Sequence, residues 1–243
     1  MRFSAIIQAR MTSTRLPGKV LMKVFKKPLL WYQVERIRNC RNIDEIIIAT
    51  TTNNEDDLIV GFAENVGLRF YRGSEHDVLD RYYQCAKDIN ADHILRLTGD
   101  CPLIDPAICD RMIENYRTAS VNIAHTGPTF AEGLDCEVFS FWSLKTAWQN
   151  AELVSEREHC TLYMHNHPEI FKKFTLENDT DDSKFRFTVD QYEDFLVVKA
   201  IIENLFPVRS INFSFSDIKR FLDLNPEIFR INSSIIRNEG LKK

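Results

Sequence analysis

Two apolar runs constrain the fold most: RFSAIIQA at residues 2–9 and EIIIATTT at 45–52. Neither alternates apolar with polar, so both faces of such a strand need cover, and that is the habit of a parallel strand held between two layers of helices. The intervening segments supply those helices. In PLLWYQVERIRNC the residues Leu29, Leu30, Val34 and Ile37 share a face; NEDDLIVGFAENVG carries acids in its first turn and Gly67 at its end. LRFYRG reads as a short strand, HDVLDRYYQCAKDIN as a helix, HILRLTGD as a strand, and PAICDRMIENYRT as a helix opened by Pro106. Strand and helix thus alternate four times within about 118 residues. The fold class is α/β, a three-layer α/β/α domain around a mainly parallel central sheet.

After residue 120 the rhythm loosens. SVNIAHT, CEVFSF, KKFTLE and FRFTVD read as strands in mixed pairing, with helices expected at 142–150, 155–166, 191–205 and 216–222. With no repeat, low-complexity tract or flexible linker, residues 1–243 are read as one domain. Its nucleotide-binding half is expected in 1–120, and a substrate-binding half, the candidate for dimer contacts, in 121–243.

Charge is unevenly spread. Residues 1–41 hold ten Lys and Arg against one acid, Glu35, while the whole chain has a net charge of −4. The acidic remainder argues against a nucleic-acid binder, and the local positive field suits a small polyanion. No apolar stretch reaches the ~18 residues of a membrane helix, and Arg10 cuts the first apolar run too short for a secretion signal. Six scattered cysteines without metal-ligand spacing read as reduced thiols, so a cytoplasmic protein is expected.

The cations gather behind the first strand. Arg10 to Lys27 spans 18 residues, well beyond the roughly two to six of an ordinary strand-to-helix loop. It has neither GxxxxGK[ST] nor a dinucleotide glycine pattern, its only glycine being Gly18. Phosphate binding here falls to side chains: Arg10, Arg15 and Lys19 as charged donors, Ser13 and the threonines as hydroxyls.

In RLTGDCPLID, Asp105 precedes Pro106 and a helical pattern, so capping explains it. Asp100 stands at the carboxyl end of a strand where nothing local needs an acid. Mg²⁺ on a nucleotide is typically held by one or two carboxylates plus phosphate oxygens, a role that Asp100 fits. Asp190, ending FRFTVD before a long helix, reads equally as a helix cap or a second metal ligand. GLDCEVFSF alternates, placing Asp135 and Glu137 on one face, suited to sugar hydroxyls or to a solvated edge. In SEREHC, Ser155 and Glu158 have the spacing of a capping box, leaving Arg157 and His159 free for sugar or subunit contacts. Asp77 and Arg81 have the spacing of a helical ion pair. No side chain stands out as a general base.

QARMTSTRLPGK resembles the N-terminal signature of the sugar cytidylyltransferases, with its A-R-x-x-S-x-R-x-P-x-K core. FYRGSEHDVLDRYYQCA, RLTGDCPLID, GLDCEVFS, SEREHCTLYM and RFTVDQYEDF continue the resemblance in order over roughly residues 3–200, and most closely to the branch of spore-coat polysaccharide biosynthesis protein F. The resemblance implies a nucleotide-diphospho-sugar transferase fold (GT-A/Rossmann-like) and Mg²⁺-dependent transfer of CMP from CTP to a sugar or sugar acid, with release of pyrophosphate. It implies nucleotide binding by Gln8, Ala9, Arg10, Ser13, Arg15 and Lys19, with Arg72, Asp77 and Arg81 beside the nucleotide. It further implies metal binding by Asp100 and Asp190, catalysis by Arg10, Lys19 and Asp100, and substrate contacts from Asp135, Glu137, Arg157 and His159. Open alternatives are another nucleoside triphosphate, a sugar 1-phosphate acceptor, or a silent nucleotide-binding module.

Overall fold

The computed structural model describes residues 1–237. Its first half runs β1 (Phe3–Gln8), the short strands β2 (Lys23–Val24) and β3 (Lys27–Pro28), α1 (Leu29–Ile37), β4 (Glu45–Thr51), α2 (Asp57–Asn65), β5 (Arg69–Gly73), α3 (Val78–Asp88), β6 (His93–Thr98) and α4 (Pro106–Ala119). The second half adds β7 (Ile123–Thr126), β8 (Glu137–Ser140), α5 (Phe141–Asn150), α6 (Val154–Glu158), α7 (Leu162–Asn166), β9 (Lys173–Leu176), α8 (Tyr192–Arg209), α9 (Phe215–Leu224) and α10 (Pro226–Arg230).

Seven strands make one sheet in the order β5-β4-β1-β6-β8-β7-β9. The first four run parallel; β8 is antiparallel to both β6 and β7, and β9 is parallel to β7. The continuous apolar runs are explained by two cores. Phe3, Ala5 and Ile7 of β1, Ile48 of β4 and Leu95 and Leu97 of β6 pack under α1, α2, α4 and α8. Ile6, Ile47, Ala49 and Ile94 point the other way, under α3, α5 and α7. Each such buried Phe, Ile or Leu contributes about 1.5–3 kcal/mol of burial free energy, so a polar residue at either parity is costly. Tyr83 stacks on Trp148 at 4.1 Å and closes the second core.

The chain leaves β1 toward β4 and β5 on one side and returns to β6 on the other. The strand order therefore reverses between β1 and β6, where open α/β sheets leave a ligand crevice outside the strand ends. Gly99 makes that junction tight. Its amide donates to the Gln8 carbonyl at 2.8 Å, and a Cβ there would lie 3.0 Å from both that oxygen and the Ala9 Cβ.

Three expectations need correction. The helix expected over 155–166 is two helices, α6 and α7, separated by a turn that buries Cys160 and Thr161. Ser155 forms no capping box, because Leu153 is the residue preceding α6. FRFTVD is extended but stays outside the sheet, forming one isolated bridge between Arg186 and Glu132; its later amides bond to Glu132 and to Asp100.

Candidate active site

The long connection after β1 is folded back on itself. The Gly18 amide donates to the Met11 carbonyl at 2.8 Å, and the Met11 amide to Asp56 at 2.6 Å. A 3-10 turn over Lys19–Leu21 then buries Lys19 with its ammonium turned to the strand ends. Lys19 Nζ lies 2.8 Å from Asp100 Oδ2 and 2.7 Å from Asp190 Oδ1, so one ammonium bridges two carboxylates from distant parts of the chain. Arg15 reaches the second Asp190 oxygen at 2.8 Å.

Burial opposes charge on Lys19, but Asp100 and Asp190 more than offset it and hold the lysine above its ordinary value. Burial likewise pushes the Asp100 carboxyl up, while Lys19 and hydrogen bonds from Lys19, Thr98 and Cys101 bring it down to about 2. Both groups are therefore charged at neutral pH.

Asp190 is not a helix cap. Gln191 caps α8 in a reciprocal box with Asp194, and Asp194 also accepts the Asp190 amide at 3.0 Å. Asp194 is fully buried and is itself held by Arg186 at 2.9 Å and Asn232 at 2.9 Å. Arg186 also pairs with Glu132 and, at 3.1 Å, with Asp190. This Glu132–Arg186–Asp194–Asn232 assembly frees the Asp190 carboxylate to face the crevice. Asp105, by contrast, is the cap of α4, accepting from the Ala107 amide at 2.9 Å.

The crevice is a cavity of about 580 Å³. Gln8, Ala9, Arg10, Ser13, Arg15, Lys19, Arg81, Asp100, His159 and Asp190 all line it. Arg81 is buried in its wall, donates to the Ser74 carbonyl at 2.8 Å, and leaves Nε without a partner. Glu75, which sequence reasoning missed, lines the same cavity. It accepts from Thr12, from Asn53 at 2.7 Å and from Arg10 at 3.4 Å, contacts that hold its carboxyl below the usual range.

Asp135 and Glu137 line a second cavity of about 290 Å³, together with Arg96, His125 and Glu132. Thr98 and Asp100 line both cavities and form the join. Burial pushes Glu137 up, but Arg96 at 2.7 Å and His165 at 2.9 Å bring it to about 2. Burial raises the Asp135 carboxyl, with Arg237 at 3.0 Å opposing.

Arg72, Asp77 and Arg157 line neither cavity. Arg72 holds the end of β4 through the Thr51 and Asn53 carbonyls and pairs with Asp57. Asp77 caps α3 and pairs with Arg157, not with Arg81; Arg157 also donates to the Trp148 carbonyl at 2.8 Å.

Asp100 and Asp190 offer oxygen donors only, on a face that opens to the larger cavity, which suits a hard divalent cation completed by water and phosphate oxygens. Among the described residues no group of three or more His, Cys, Asp or Glu forms a self-sufficient metal cluster.

A crevice at the strand-order reversal, lined by side-chain cations and joined to a second polar cavity, defines a nucleotidyltransferase-type site. The family model described as cytidylyltransferase matches residues 4–235. The chain is 38% identical over 97% of its length to an uncharacterised protein of Methanocaldococcus jannaschii, covering 96% of that protein. It is 31% identical over 91% of its length to spore coat polysaccharide biosynthesis protein SpsF of Bacillus subtilis, covering 94% of it. A solved cytidylyltransferase from Leptospira borgpetersenii superposes with a TM-score of 0.88 at 36% identity, over 94% of this chain and 97% of that one. The chain belongs to the cytidylyltransferase family and stands close to the SpsF branch.

Proposed function

We propose that this protein transfers CMP from CTP to a sugar acid, releasing pyrophosphate, to make an activated sugar for surface polysaccharide or glycoprotein glycans. The observation that carries this reading is the pair of cavities meeting at Thr98 and Asp100. The larger has the cations for a triphosphate; the smaller has hydroxyls and carboxylates for a sugar.

Arg10, Arg15, Lys19 and Arg81 surround the space for the phosphates, and Ser13 adds a hydroxyl. The acceptor hydroxyl enters from the second cavity and attacks the α-phosphorus as the bond to pyrophosphate breaks, its proton passing to solvent and the pyrophosphate departing through the larger cavity. Lys19 and Arg10 offset the charge that builds on the phosphoryl oxygens, and positioning supplies much of the rate. Asp100 and Asp190 are the residues that would hold Mg²⁺, which when bound supplies further positive charge to the triphosphate. All six cysteines are free and buried, in keeping with a reducing cytoplasm that also supplies CTP.

The test is pyrophosphate release with CTP, UTP, GTP and ATP, each against 2-keto sugar acids and sugar 1-phosphates. The proposal expects release with CTP and an acid. Release only with a sugar 1-phosphate would make it a different nucleotidyltransferase, and nucleotide binding without release across the panel would make it a binding module.

A further inference from the structure

Arg96, Glu137, His125 and Thr175 are direct cross-strand partners on β6, β8, β7 and β9, so they share one face of the sheet. The first three line the second cavity. Among the described residues Arg96 is the only Lys or Arg in that lining.

The carboxylates around it are already held by protein groups. Glu137 accepts from Arg96 Nη1 at 2.7 Å, Thr161 Oγ1 at 2.9 Å and His165 Nε2 at 2.9 Å. Glu132 is held by Arg186, Asp100 by Lys19, and Asp135 by Arg237 and the Gly133 amide. Arg96 is different. Its guanidinium has five N–H donors, Glu137 is its sole hydrogen-bond partner among the described residues, and its buried Nε has none. A charged donor group left short of acceptors is destabilising, and a ligand oxyanion on the guanidinium would offset that.

We infer that Arg96 selects the acceptor by taking its carboxylate in the second cavity. This rests on reading that cavity as the acceptor site. Glu137, Thr161 and His165 keep the guanidinium in place, and its remaining donors face an anionic group in the planar manner that arginine offers to carboxylates. Arg96 lies two residues before Thr98 on β6, on the same face and roughly 6.6 Å away. Thr98 sits at the join of the cavities.

The test compares wild type, Arg96→Lys and the double variant Arg96→Gln/Glu137→Gln, which removes both charges of the pair together. The probes are 3-deoxy-octulosonate, its neutral carboxamide and a sugar 1-phosphate. Binding of each probe is read by calorimetry with a non-hydrolysable CTP analogue, and turnover by pyrophosphate release. Thermal unfolding and affinity for the CTP analogue verify each fold. Wild type is expected to favour the acid over its amide by at least about 100-fold. The double variant is expected to bring that ratio to within about threefold by raising KM for the acid, with KM for CTP unchanged, and Arg96→Lys to fall between. A double variant that keeps the preference for the acid overturns the assignment, as does an Arg96-dependent preference for the sugar 1-phosphate. If the acid binds in an Arg96-dependent way but no nucleotide is turned over, the assignment stands and the proposed reaction fails.

Discussion

The Val189 amide donates to the Asp100 carbonyl at 2.8 Å, and that bond sets the Asp190 carboxylate beside that of Asp100. The segment carrying Asp190 is extended but lies outside the sheet ladder. Its position depends on this bond and on the buried Arg186–Asp194 pair. Lys19 then joins the two acids, so the first 20 residues, the end of β6 and the start of α8 meet at one ammonium.

Lys19→Met should leave two carboxylates facing one another. Asp100 loses the partner that holds it near 2, so its carboxyl titrates higher. KM for CTP should rise by about tenfold or more, since a buried cation in the phosphate cavity is gone. Carbon-13 NMR titration of the aspartates reads the first effect and steady-state kinetics the second. An unchanged KM would remove Lys19 from the phosphate site.

Acid stability follows from Asp100 and Glu137, both lowered to about 2 from 3.8 and 4.5. A carboxyl lowered by folding contributes stability that is fully present above its unfolded value and lost as pH falls toward its folded one. The unfolding free energy should therefore decline between about pH 5 and pH 2, by about 2–3 kcal/mol per group at most. Denaturant melts across that range measure it, and Arg96→Gln/Glu137→Gln should show the shallower decline.

Gly133→Ala should destabilise by about 2–4 kcal/mol. Gly133 has φ +94°, and a Cβ there would sit 2.4 Å from the Thr188 amide nitrogen and 2.6 Å from the Phe187 carbonyl carbon. Both it and Thr188 line the second cavity, so KM for the acceptor should rise more than KM for CTP. Equal effects on both would disconnect that cavity from the acceptor.

Arg157→Leu should lower Tm and leave KM for CTP within about twofold. Arg157 ties Asp77 at the start of α3 to the Trp148 carbonyl in α5, and losing such charged hydrogen bonds costs about 1–3 kcal/mol. A large rise in KM with an unchanged Tm would restore it to the binding site.

The parallel half of the fold was legible because its signals are local: apolar runs, helical faces and the Asp105–Pro106 start of α4. The connection from Arg10 to Lys19 was legible through its length and charge. Glu75, Arg96, Arg186 and Asp194 were not, because each acquires its place by pairing with a distant residue. Arg96 meets Glu137 only through the antiparallel register of β6 and β8, which nothing within either strand specifies. Arg72, Asp77 and Arg157 lie close in sequence to cavity residues, yet their side chains turn to backbone carbonyls and to one another's elements. Proximity along the chain does not carry side-chain direction.

Asp100→Asn tests the account most directly. It keeps the shape of the join between the cavities and removes one carboxylate oxygen from the candidate metal pair. With CTP, Mg²⁺ and an acid accepted by wild type, the account predicts that pyrophosphate release falls by about 10³-fold or more while the variant remains folded, with a thermal transition lowered by the loss of the Lys19–Asp100 pair and still above the assay temperature. Release at a rate near that of wild type would contradict the role given to Asp100, and with it the reading of the Asp100–Asp190 pair as the centre of the reaction.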